Sequence, residues 1–140
     1  MILLVRHASA GDSAAWEGDD HDRPLDKRGR KQAKGLVRQL AELAPAVIVS
    51  SPYLRCLQTV EPLARSLQVA IDVRAELGYE RPDQEALALI TSLSGITAVV
   101  CGHGGLEMIV LGGAAPKFRK GATFVLDDGL QLVEAFRPAA

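Results

Sequence analysis

Two cysteines, Cys56 and Cys101, are too few for a disulfide framework, and a reducing compartment keeps both as thiols. Aromatic residues make up only 4% of the chain, so no basic stretch is interleaved with the rings that stack nucleic-acid bases. No apolar run approaches the length of a membrane span. Neither sign of charge dominates: 16 Lys and Arg stand against 17 Asp and Glu, a formal net charge of -1. No global field therefore attracts nucleic acid or an anionic membrane, and an anion site has to be built locally. There is no Gly-x-x-x-x-Gly-Lys-Ser/Thr loop. Six positions after the cysteines stand Pro62 and Glu107, not arginine, which excludes a cysteine-based phosphatase loop. Cys101 with His103 supplies two ligands and no carboxylate cluster, which is not a zinc site, so neither metal nor cofactor is expected.

The apolar opening Ile2 to Val5 has no basic region ahead of it and stops at Arg6, so it does not read as a secretion signal, and a cytoplasmic location is the default expectation. At 140 residues with no linker or repeat, one domain over 1–140 is expected. Ala8 to Leu25 is loop-like, with Gly11, Gly18, Pro24 and an acidic cluster at Asp19, Asp20 and Asp22 around His21. Ala33, Leu36, Val37, Leu40 and Leu43 recur at helical spacing from Asp26 to before Pro45. The opposite face, Lys27 to Arg38, is basic and reads as solvated rather than as a nucleic-acid patch.

Ala46 to Val49 reads as a buried strand, followed by a helix from Pro52 to Ser66 capped by Ser51. Val69 to Val73 alternates like a strand. Asp83 is placed to cap a helix reaching about Leu93. Thr97 to Cys101 is another buried strand, and Leu106 to Leu111 a short helix. Ala122 to Leu126 and Leu130 to Phe136, joined by Asp127-Asp128-Gly129, carry a hairpin signal at one sheet edge. Strands alternating with helices predict an α/β layer fold.

Three strand ends thus present Arg6 with His7, Arg55, and His103. In open α/β sheets ligands bind beyond the carboxyl ends of the strands. Guanidinium groups pair with phosphate oxygens and keep their charge at any working pH. A neutral imidazole is a competent nucleophile, and cationic neighbours favour the neutral form. His7 is the candidate nucleophile. His103 is placed to stabilise charge on the transferring group, and the glycines around it allow backbone N–H groups close to an anion.

Leu4-Val5-Arg6-His7-Ala8, Arg23-Pro24-Leu25 with Gly29 and Gln32-Ala33, Ser50-Ser51-Pro52-Tyr53-Leu54-Arg55-Cys56-Leu57-Gln58-Thr59, and Gly102-His103 together resemble the histidine phosphatase superfamily, which includes the phosphoglycerate mutases. The short chain most resembles the small SixA-type phosphohistidine phosphatase branch, and it is also similar to phosphatase domains fused to Nudix hydrolases. The resemblance implies a three-layer α/β/α sandwich with a mostly parallel sheet, and a covalent phosphohistidine intermediate. It implies His7, Arg6, Arg55 and His103 as the catalytic set, with Glu76 where many relatives place the proton donor; Glu80 lies nearby. Ser9, Arg23 and Gly104 are the candidate substrate-binding residues. Ala8 stands where the family often has Gly, and Asp26 where it often has Thr.

The expected activity is a metal-independent phosphatase acting on phosphohistidine proteins, with nucleotides or small phosphoesters as the alternative substrates. The connection from Val73 to Asp83 is too short for a large lid, which suits a bulky substrate. A reading of another class is a non-catalytic module that binds a phosphorylated protein or small molecule. The oligomeric state and the role of His21 stay open.

Overall fold

The computed structural model describes residues 1–139. Ten principal elements alternate along the chain: β1 (Ile2–Arg6), α1 (Lys27–Leu40), β2 (Val47–Ser50), α2 (Leu54–Leu67), β3 (Ile71–Val73), α3 (Asp83–Ser92), β4 (Ala98–Gly102), α4 (Leu106–Leu111), β5 (Thr123–Leu126) and β6 (Leu132–Phe136). They build one six-stranded sheet in the order β3-β2-β4-β1-β5-β6. The first four strands in that order are mutually parallel. β5 runs antiparallel to β1 and forms with β6 the antiparallel hairpin at the edge.

The expected three layers follow from side-chain alternation along β1, which is buried on both faces. Ile2 and Leu4 pack with Val100 of β4 against Ala86, Leu89 and Ile90 of α3 and Leu106 of α4. Leu3 and Val5 point the other way, with Val99 and Cys101, onto Leu36 and Leu40 of α1 and Val60 and Leu63 of α2. Leu3 and Leu4 are both fully buried, each contributing about 2 kcal/mol through loss of apolar surface from water.

α1 begins where Asp26 caps it: the carboxylate accepts the Gly29 N–H at 2.8 Å. Gly29 is set by close packing, because a Cβ there would lie 1.9 Å from the Ser9 carbonyl oxygen. The exposed face of α1 carries Lys27, Arg28, Arg30, Lys31, Lys34 and Arg38, as the solvated reading requires. Two expected caps fail. α2 starts at Leu54 with no side-chain cap, because the helix begins after Tyr53 and the Ser51 hydroxyl, which meets His103, receives the Tyr53 N–H ahead of the first turn. α3 starts at Asp83 itself, behind Pro82, again with no side-chain cap.

Parallel pairing fixes the functional end of the sheet. Arg6 registers with Gly102 and Ser50 with Cys101. His7, His103 and Ser51 therefore leave three neighbouring strands at one level, at the carboxyl edge.

Candidate phosphoryl-transfer site

His7 is 3% exposed. Its Nδ1 lies 2.8 Å from the Ala8 carbonyl oxygen, which can only accept, so the proton sits on Nδ1 and Nε2 keeps its lone pair. Burial, followed by the positive charges of Arg55, His103 and Arg6, outweighs the pull of that carbonyl and lowers the His7 pKa to about 3. The ring is held from behind: its backbone N–H donates to the Gly102 carbonyl, and the Gly121 N–H donates to both the Arg6 and His7 carbonyls. Ala8, fully buried, donates its N–H to Thr59 Oγ1 at 2.9 Å.

The His103 ring lies edge-on to His7, with centroids 5.6 Å apart. Its Nε2 is 2.9 Å from Ser51 Oγ and 3.7 Å from Cys56 Sγ. Arg6 donates through Nη1 to the Phe118 carbonyl at 2.7 Å. Arg55, 1% exposed, donates through Nη1 to the Asp20 carbonyl and through Nη2 to the Asp20 carboxylate, at 2.9 and 3.1 Å. Among the described residues, three buried nitrogens of this set, Arg6 Nε, Arg55 Nε and His103 Nδ1, have no hydrogen-bond partner. An unsatisfied buried donor costs about 1–3 kcal/mol, and the two guanidinium N–H groups in one site are a reservoir that an anion discharges.

The remaining candidates are distributed differently. Gly104 lies against Arg6, where an added Cβ would meet Cζ at 2.8 Å, so its lack of a side chain seats the guanidinium. The Ser9 hydroxyl donates to Asp26 at 2.7 Å, which engages it in joining the first loop to α1. Arg23 is buried and donates to the Ala10 carbonyl and the Asp20 carboxylate. It reaches the site through Asp20, which bridges Arg23 and Arg55. Glu76 sits on the rim of a cavity of about 370 Å³ with Tyr79, His103 and Gly104. There Arg74 Nη2 donates to it at 2.6 Å. That bond and the nearby positive charge hold Glu76 below the usual carboxylate range, so it is ionised rather than poised as an acid. The Tyr53 hydroxyl donates to Glu80 at 2.8 Å, which with His21 keeps Glu80 ionised as well.

Sequence reasoning left the aromatic rim unassigned. His21 stacks on Tyr53 at 4.0 Å between centroids, and Tyr79 covers His103 at 4.0 Å. Hydrogen bonding to Asp19, then to Glu80, raises the His21 pKa. Both tyrosines of the chain flank the site, a signal available from their scarcity together with their place beside Arg55 and Glu80. Among the described residues no group of three His, Cys, Asp or Glu side chains is arranged to hold a metal ion, and no helix is long and apolar enough to cross a membrane.

Comparison with known proteins gives this arrangement a class: it is a phosphatase domain of the histidine type. Residues 2–78 match the histidine phosphatase superfamily (branch 1), and the chain belongs to that superfamily. It is similar over 98% of its length, and over 97% of the other chain, to a protein from Agrobacterium tumefaciens assigned as the phosphohistidine phosphatase SixA, at 25% identity and a TM-score of 0.81. A structure of the protein histidine phosphatase SixA complexed with tungstate shares the fold, with a TM-score of 0.79 at 23% identity over 98% of this chain and 96% of that one. The 8-oxo-(d)GTP phosphatase of Mycolicibacterium smegmatis is 47% identical over 70 residues, which cover 50% of this chain and 22% of that protein. The chain thus matches about a fifth of the length of the curated relatives.

Proposed function

We propose that the chain hydrolyses phosphoryl groups through a covalent intermediate on His7, with phosphohistidine on a protein as its first substrate class. The observation that carries this reading is the His7 environment: a neutral imidazole whose Nε2 has no hydrogen-bond partner among the described residues, beside Arg6 and Arg55, whose buried Nε–H groups likewise have none there. Nε2 donates its electron pair to phosphorus while the bond to the leaving group breaks and the leaving atom takes that bond's electrons. Arg6, Arg55 and His103 donate to the equatorial oxygens, where charge accumulates. Water then attacks phosphorus, the P–N bond returns its electrons to Nε2, and inorganic phosphate leaves.

Glu76 enters this reading as a carboxylate that its pair with Arg74 keeps ionised. A substrate whose leaving group departs without a proton from the enzyme suits such a site. Imidazole, leaving from phosphohistidine, is one such group, and the likeness to SixA over nearly the whole chain supports it. Phosphate, leaving from a phosphoanhydride, is the other. That second reading, a phosphatase on nucleotides, is favoured by the identity shared with the 8-oxo-(d)GTP phosphatase over 70 residues.

The test is a rapid quench after mixing with radiolabelled substrate. An acid-labile, alkali-stable label on the protein is expected, absent in His7→Ala, whose turnover of p-nitrophenyl phosphate falls by at least about 10³-fold. Full activity in His7→Ala overturns the reading. Failure of the unaltered chain to hydrolyse the aryl ester, whose leaving group needs no acid, favours a binding module instead.

A further inference from the structure

On the side of Arg6 away from the aromatic rim, a second cavity of about 660 Å³ is lined by Arg6, Arg28, Lys117, Arg119, Lys120 and Arg137, with Ser9, Gln32 and Pro138. Four separate pieces of chain bring these cations together: the end of β1, the first turn of α1, the segment before β5, and the segment after β6. Among the described residues none of the six has an ion-pair partner, whereas Arg23, Arg55, Arg65, Arg74 and Arg81 are all paired with carboxylates. Like charges gathered from distant segments repel one another, so this convergence has a cost that an anionic ligand removes. Among the described residues, no carboxylate lines the cleft.

The cleft is joined to the reaction site by covalent chain and by hydrogen bonds. Arg6 belongs to both, with its guanidinium against Gly104 and its Nη1 on Phe118, inside the 117–120 segment. That segment ends at Gly121, whose N–H holds the Arg6 and His7 carbonyls. Arg6 is thus the side chain shared by the cleft and the reaction site.

We infer that the cleft binds the second and later phosphates of a small molecule that carries a chain of phosphates, with the terminal phosphoryl group at His7. This rests on the reading of His7 as a phosphoryl acceptor. Concavity and size favour a small ligand over an acidic protein surface, because cavities of about 300–1,000 Å³ are those that enclose small molecules. Three cleft arginines besides Arg6 offer planar forks, and a chain of phosphates presents paired oxygens to each of them. Hydrolysis then breaks the bridging P–O bond, the shortened chain keeps that electron pair in the cleft, and the terminal group passes to His7 Nε2 and on to water.

Calorimetric titration of His7→Ala with inorganic tripolyphosphate and with orthophosphate reads the cleft without turnover. Tripolyphosphate is expected to bind at least about 100-fold more tightly, and the double variant R119S/K120S to lose about tenfold or more of that affinity, with a loss for orthophosphate of at most a few-fold. Arg28→Ser, on a different element, guards against a local misfolding of the 117–120 segment and is expected to give the same selective loss. Equal losses for tripolyphosphate and a nucleoside triphosphate support recognition of the phosphate chain; a loss with the nucleoside triphosphate alone overturns it. Equal binding of the two inorganic ions also overturns the proposal. So does a double variant that slows hydrolysis of a phosphohistidine protein while binding tripolyphosphate normally, which makes the cleft a protein-docking face. If His7→Ala keeps its turnover, the nucleophile reading falls while the titration still decides the cleft.

Discussion

The two flanks of the pocket are built on opposite principles. On the aromatic flank the charges beside the site are paired within the chain: Asp20 joins Arg23 to Arg55, Glu76 joins Arg74, and Glu80 receives Tyr53 and faces His21. On the Arg6 flank five further cations face a common cleft, with no carboxylate of the described residues among its lining. A formal net charge of -1 hides this segregation. The difference teaches that the internally paired flank fixes geometry, while the unpaired flank is where a ligand's own charge is needed. Arg55 tests the first half of that statement. Arg55→Ala is expected to lower kcat on p-nitrophenyl phosphate by about 10²-fold, the scale of losing one preorganised donor to a developing charge. Arg55→Lys keeps the charge without the fork and should recover only part of it. Steady-state kinetics that leave kcat intact in both would make the paired flank purely structural.

Acid should weaken the nucleophile's setting and the aromatic flank together. His7 falls from an ordinary 6.5 to about 3 in the fold, mainly through burial. Between these values the unfolded chain binds more protons than the folded one, so the His7 contribution is complete above pH 6.5 and is lost as pH drops toward 3. Asp19, Asp20, Glu76 and Glu80 are all held below their usual range by their partners, so their contributions also vanish as pH falls through the folded values. The expected outcome is an unfolding free energy, from urea titration, that falls steadily below pH 6.5, with His7 alone giving a slope approaching about 1.4 kcal/mol per pH unit. In His7→Ala that slope should be reduced between pH 4 and pH 6, roughly the window in which only the unfolded histidine titrates. An unchanged slope would mean that His7 is not buried neutral.

The sequence made one flank far more legible than the other. Arg6, His7, Arg55 and His103 each follow a strand or open a helix, so a buried apolar run locates them and parallel pairing brings them together. Every principal element was foreseeable within a few residues, because apolar periodicity follows burial on the two faces of the sheet. Side-chain hydrogen bonds were not foreseeable. Ser51 has the identity and position of a helix cap, but its hydroxyl meets His103. Ser9 lies two residues after His7, yet Asp26 takes its hydroxyl. The cleft was invisible for a related reason: Arg28, the 117–120 segment and Arg137 lie far apart in sequence, and Arg28 read simply as part of a solvated helix face.

Asp20 is where the two principles meet, because its carboxylate engages a cation of the phosphoryl site from inside the chain. Burial works against its charge, but hydrogen bonds and the charges of Arg23 and Arg55 outweigh it and hold Asp20 ionised. A phosphoryl oxygen approaching Arg55 Nη2 meets that carboxylate as a competitor. Asp20→Asn keeps the backbone carbonyl that receives Arg55 Nη1 while removing the competing charge. Because the carboxylate is half-exposed, water screens the pair, and the gain is limited to about two- to fivefold tighter inhibition by orthophosphate, the scale of a screened ion pair. Inhibition constants for orthophosphate, measured against p-nitrophenyl phosphate in both proteins, decide the point. Weaker inhibition in Asp20→Asn would mean that the carboxylate's chief role is to aim Arg55. The acidic loop would then belong with the geometry-fixing contacts of its flank and would not gate the anion.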